Sequence, residues 1–266
     1  MATETQTPLG QITGSVLFYG KPEPLTPELH KGLGVKRVDG PFAFAKQGHA
    51  VPLAVTEFPL AAVSGPIIFV GEDKIPLAVM GLNPGENLFV QENGMFEAGV
   101  YVPAYVRRYP FVFANDSQAG QMVLCIDRAA PFIVEGGDMA FFNADGSPTE
   151  YTQNCINFCN DYEQERARTQ SFVQLLQDLD LFELKTAFHT PVNADGTAAE
   201  PVKIAEYFGV SETKLNALPH DKFAELRDNG ALAQIYAHLV SLIGWDRLIA
   251  VALGRQVAAA QAAANA

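Results

Sequence analysis

GPIIFVGEDKIPLAVMGL (Gly65–Leu82) sets two apolar runs on either side of Gly71-Glu72-Asp73, and turn residues between two strand-forming runs predict a β-hairpin. Downstream, ENLFVQENGMFEAGVYV (Glu86–Val102) repeats the pattern around Asn93-Gly94, a strong short hairpin signal. An antiparallel meander over residues 50–100 follows. GQMVLCIDRAAPFIVEGGDMAFFNADGSP (Gly120–Pro148) adds two or three strands that end at the Asp145-Gly146 turn.

From about Thr152 the period changes. Phe172, Leu175, Leu176 and Leu179 share one face of a helix. Pro219 and Gly230 bracket a second helix, as first-turn proline and terminal glycine do. In ALAQIYAHLVSLI (Ala231–Ile243), Leu232, Ile235, Tyr236, Leu239, Leu242 and Ile243 form an apolar stripe. Strands followed by helices predict an α+β fold: a β-rich antiparallel meander with short helices over 1–150, then a helical part over 151–250 packed against it. Residues 251–266 read as an alanine-rich tail.

Composition bounds the partners. The chain of 266 residues is 48% hydrophobic and 18% charged, as globular proteins are, and is long enough for a sizeable core. A net charge of −12 argues against nucleic acid, which needs a broad basic surface. The opening MATETQTPLGQITGS has no basic segment followed by an apolar one, and the longest apolar stretch, FPLAAVSGPIIFV (Phe58–Val70), is far short of the ~20 residues a bilayer requires. No integral membrane segment is therefore expected. Three cysteines, Cys125, Cys155 and Cys159, are odd in number and too few to staple such a chain, which favours a reducing, cytoplasmic compartment, although a non-Sec export route leaves no mark in this reading.

One segment carries unusual chemistry. YVPAYVRRYPFVF (Tyr101–Phe113) holds adjacent Arg107 and Arg108 among tyrosines and prolines. Pro103 suits a first helical turn, Pro110 stops a helix, and Tyr101, Tyr105 and Tyr109 recur every fourth residue, so a short helix is expected. A guanidinium presented there can clamp a carboxylate or phosphate beside a tyrosine ring, or it can pair with internal acids such as Glu57 or Glu86. His49 and Glu57 could make an acid/base pair, but no second histidine stands at ligand spacing and neither a metal nor another cofactor is expected. Cys155 and Cys159 lack the further ligands a zinc site needs and read as core, and so does Cys125. His238 reads as a hydrogen-bonded histidine at the edge of its helix's stripe. Phosphate-loop, dinucleotide-binding and nucleophile-elbow motifs are absent from the sequence.

Seven segments in order, FYGKPEPLTPELHKGLGV, FAFAKQGHAVPLAVTEFPLAA, PIIFV, GLNPGENLFV, YVPAYVRRYPF, VLCID and LRDNGALAQIYAHLVSL, resemble the bacterial SapC family over about Phe18 to Trp245. The chain departs from that pattern at Gly65, where the family usually carries an aromatic residue. The resemblance implies a surface-layer or envelope-associated setting and a gene encoded near those of flavin-dependent halogenases and outer-membrane nutrient receptors, and it transfers no catalytic residue to any position. Two functions are expected on this basis. The first is a non-catalytic accessory protein that binds a protein partner or a small anionic ligand through Tyr105, Arg107, Arg108 and Tyr109, with His49, Glu57 and Glu86 near them. The alternative is an enzyme, or the substrate-handling partner of an oxidative halogenase-type enzyme, with a polar site around His49, Glu57 and Arg107.

Overall fold

The computed structural model describes residues 16–116, 121–191 and 197–264. The first fifteen residues, read above for an export signal, and the last two of the alanine-rich tail lie outside them. The fold is α+β. In chain order the first elements are β1 (Pro22–Pro24), α1 (Pro27–His30), β2 (Leu33–Val35), β3 (Ala50–Pro52), α2 (Phe58–Ala61), β4 (Ile67–Val70), β5 (Ile75–Val79) and α3 (Ala104–Arg107). Then come β6 (Phe111–Asp116), β7 (Gln121–Asp127), β8 (Ile133–Glu135), β9 (Met139–Ala140) and α4 (Glu150–Asp178). The chain ends with β10 (Phe182–His189), β11 (Val202–Val210), α5 (Glu212–Asn216), α6 (His220–Asp228), α7 (Ala231–Ser241) and α8 (Gly244–Ala264).

The elements form two compact units, each assembled from separated stretches: Met1–Pro41 with Arg108–Tyr162, and Phe42–Arg107 with Glu163–Ala266. One of the chain's crossings between them falls between Arg107 and Arg108. The first unit has two three-stranded antiparallel sheets, ordered β1-β7-β6 and β8-β2-β9. Its core gathers Leu33, Phe111, Ile126, Phe141 and Cys159, with the Phe111 ring edge-on to Phe141 and Tyr151.

The second unit has a five-stranded antiparallel sheet ordered β10-β11-β4-β5-β3. The Gly65–Leu82 hairpin forms as its turn residues dictate, with Ile67 opposite Ala78, Val70 opposite Ile75, and Gly71 at φ +72°, a conformation that favours glycine. Around Asn93-Gly94 the turn closes through the Gln91 amide on the Met95 carbonyl and the Gly94 amide on the Gln91 carbonyl, but only the single bridge Val90–Phe96 forms beside it. The long β10–β11 hairpin interrupts the region where the sequence reads as helices. Its Glu, Leu, Lys and Ala favour helix locally, and aromatic packing overrides them: Phe69 of β4 lies 4.9 Å from Phe182 and pairs across the sheet with Phe208.

Helix α7 is fastened to this sheet by two polar side chains. Buried His238 donates through Nδ1 to the Ile67 carbonyl (2.9 Å) and accepts at Nε2 from the Val210 amide (3.0 Å), while Ser241 Oγ accepts from the Ile67 amide (2.9 Å). These partners fix a neutral tautomer, and burial pushes the imidazole pKa down to about 4. At the start of α8, a Cβ on Gly244 would sit 2.8 Å from Gly65 backbone atoms, so a glycine lets the two chains meet. The stretch Ala231–Ala258 is long and apolar enough to cross a membrane by length and composition. The expectation of no integral membrane segment rests on the longest apolar run, Phe58–Val70, and does not weigh this stretch; the core helix of a globular protein has the same length and composition. In this fold the same stretch carries the bonds to β4 and β11.

Candidate functional site

The Tyr-Arg segment is helical where the prolines predict, with α3 opening after Pro103 and its first bonds running from the Val106 and Arg107 amides to the Pro103 carbonyl. Glu57, itself buried, organises the second-unit side of this segment. Its Oε1 accepts from the Tyr101 hydroxyl (2.8 Å) and the Ala104 amide (2.7 Å), and its Oε2 accepts from the Ala54 amide (2.9 Å). One carboxylate thus satisfies an amide at the start of α3 and reaches back across a 3-10 turn, the work of a helix-capping residue. Arg107 joins it: Nη2 lies 3.2 Å from the Tyr101 hydroxyl and 4.0 Å from Glu57 Oε1, and Nε donates to the Val102 carbonyl at 3.0 Å. Burial and the Glu57 charge push the Tyr101 hydroxyl up to about 12. The Arg107 side chain keeps 43% exposure.

Its neighbour Arg108 is buried and belongs to the first unit, where its guanidinium lies over the Tyr162 ring at 4.4 Å. Tyr109 follows it there and donates its hydroxyl to Asp127 Oδ2 at 2.9 Å. Asp127 also accepts from the Gly20, Lys21 and Ala129 amides at 3.0, 2.7 and 3.1 Å. Burial alone would raise its pKa, but these donors hold the carboxylate below its ordinary range; burial first, and the bond to Asp127 second, push the Tyr109 hydroxyl upward. Arg107 and Arg108 are therefore not one paired anion clamp. Adjacent in sequence, they are committed to different units on either side of a crossing.

The remaining expected site residues do not converge. Tyr105 is buried within α3. His49 is exposed and shares no hydrogen bond with Glu57 or Arg107; its part is backbone, accepting the Met80 and Gly81 amides. Glu86 accepts from Asn83 in an exposed turn (3.2 Å) and braces neither arginine. Cys125 and Cys155 are free thiols pushed up to about 11 by burial, inert at neutral pH. Among the described residues no group of three or more His, Cys, Asp or Glu is placed to hold a metal.

A different surface stands out, and the sequence reading missed it. α7 is apolar on both sides: Ile235 faces the core beside His238 and Ser241, while Ala233, Tyr236 and Val240 form a second stripe open to solvent, which Ile243 extends in the turn just past the helix. α2 packs alongside and adds exposed Leu60 and Val63. Arg247 pins that edge by donating to the Val63 carbonyl at 2.9 Å. The signal was present in a helix with no charged residue on any face, the pattern of a helix covered all round.

The molecule is thus an α+β protein with a buried carboxylate network at each side of the Arg107–Arg108 crossing and an apolar face on its second unit. A family model described as SapC matches residues 25–248, and the chain belongs to the SapC family. No curated protein and no solved structure matches it.

Proposed function

We propose that this chain is a non-catalytic accessory protein that acts by docking a protein partner, in the surface-layer or envelope setting that its family name suggests, and that it works from a compartment where its three free thiols stay reduced. The observation that carries this reading is the exposed apolar face of Leu60, Val63, Tyr236, Val240 and Ile243. The largest exposed apolar patch of a globular protein is often its functional surface, and these five residues are the large apolar side chains that α7, α2 and the turns after them leave uncovered. The test is a photo-crosslinking amino acid placed in living cells at Val240 and, as control, at exposed Lys203. A discrete adduct at Val240, absent at Lys203 and abolished by Leu60→Glu, is expected; equal labelling at both positions would remove the reading.

A second reading, recognition of a small anion, is favoured by the part-exposed Arg107 side chain, its guanidinium oriented by Val102 and Tyr101. The Glu57 charge 4.0 Å away opposes an anion there and ranks this reading second.

A further inference from the structure

We infer that the occupant of the α7 face is a second copy of this chain, docked about a two-fold axis with the two α7 helices antiparallel. This inference rests on the docking reading above and names its partner.

The spacing of the open stripe leads to it. Ala233, Tyr236, Val240 and Ile243 are separated by three, four and three residues, the interval at which helices pack along a shared seam. Running a second α7 antiparallel, with the axis at the level of residue 238, sets Ala233 opposite Ile243 and Tyr236 opposite Val240 of the other copy. The smallest side chain of the stripe meets a large one, and the ring meets a β-branched residue of moderate size, so the face is complementary to itself. His238 lies at the axis level on the opposite, buried side, where its bonds to Ile67 and Val210 hold α7 in place.

Area and charge agree. Leu60, Val63, Tyr236, Val240 and Ile243 are between 42% and 72% exposed. Those fractions correspond to about 500 Å2 of residue surface per copy and, with all of it covered, about 1,000 Å2 in a pair, the lower bound for a specific interface. An affinity on the order of micromolar fits an interface at that lower bound. Each chain carries a net charge of −12, so copies repel at long range, yet α7 contains no Asp, Glu, Lys or Arg. α7 itself therefore brings no charge into the seam, and the nearest cation, Arg247 at the edge, already has the Val63 carbonyl as a partner.

Sedimentation equilibrium of the full chain from about 1 to 500 µM tests it. The mass is expected to rise from 28.8 kDa toward twice that value with concentration. Val240→Glu should weaken pairing by at least about tenfold while leaving the circular dichroism and melting temperature unchanged, because the side chain is already solvent-facing. Register is read by a mixture: Tyr236→Glu chains and Val240→Lys chains should each be monomeric alone and dimerise together. A monomer at the highest concentration, or a dimer that Val240→Glu does not weaken, overturns the inference. A monomeric chain that still yields the Val240 adduct with another protein loses self-pairing and keeps the docking reading; one that yields no adduct loses both.

Discussion

Glu57 answers what the paired arginines are doing. Its carboxylate takes three donors, from Tyr101, Ala104 and Ala54, and these bonds, with Arg107 beside them, tie the segment before the crossing to the second unit. Glu57→Gln preserves shape but replaces one acceptor with a donor that must face the Tyr101 hydroxyl and Ala104 amide or the Ala54 amide. Leaving such buried partners mismatched costs about 1–3 kcal/mol, measurable by urea unfolding. The same substitution removes the charge that helps hold the Tyr101 hydroxyl up at about 12, so its titration, followed by NMR, should move down toward 10. A Tyr101 pKa unmoved in Glu57→Gln would mean that burial alone, the larger cause, accounts for the shift. Asp127 acts similarly in the first unit with four donors, three of them backbone amides.

Helix α7 shows what a sequence reveals about an element and what it hides. The hairpin at Gly71, α3 between Pro103 and Pro110, and the helices around Phe172, after Pro219 and over Ala231–Ser241 were legible, because turn residues, prolines and apolar spacing act locally. β10 and β11 were not, since residues such as Glu183, Lys185 and Ala205 prefer helix and become strand only by pairing with each other and with β4. Nor was the true buried face of α7: Tyr236 and Ile243 read as core, but the sheet takes His238 and Ser241 because the Ile67 and Val210 backbone groups need partners there. Glu57 could be picked out in sequence, but Asp127 could not, since two of its four donors, the Gly20 and Lys21 amides, come from about a hundred positions away. The attachment of α7 is pH-sensitive in a predictable direction. His238 titrates near 6.5 unfolded and about 4 folded, so its contribution is complete above pH 6.5 and declines as pH falls toward 4, by roughly 3 kcal/mol in all. Urea unfolding at pH 7.5, 6 and 5 should show this decline, and His238→Gln, less stable at pH 7.5, should show a flatter dependence. An equal slope in both proteins would assign the acid sensitivity to other groups.

At the scale of the whole molecule, each unit draws on separated stretches of chain, and the second depends on residues that follow the last crossing at Tyr162–Glu163. β4 illustrates the dependence. Its Ile67 amide donates to Ser241 Oγ, its Ile67 carbonyl accepts from His238 Nδ1 and its Phe69 pairs with Phe208, while in α2 the Phe58 ring meets Phe172 at 5.9 Å. All of these partners lie beyond residue 162. The first unit is different, because Met1–Pro41 and Arg108–Tyr162 are both complete by that point. A fragment of residues 1–162 should therefore split in behaviour under hydrogen exchange. Amides of β6 and β7 at Phe111, Phe113, Leu124 and Ile126 should stay protected, whereas those of Ile67, Phe69 and Val79 should exchange orders of magnitude faster than in the full chain, because a three-stranded remnant stripped of β11 and α7 cannot bury its apolar face. Full-length protection at Ile67 and Phe69 in the fragment would show that β3, β4 and β5 are stable alone, and the bonds from α7 would then serve to position that helix rather than to hold the sheet.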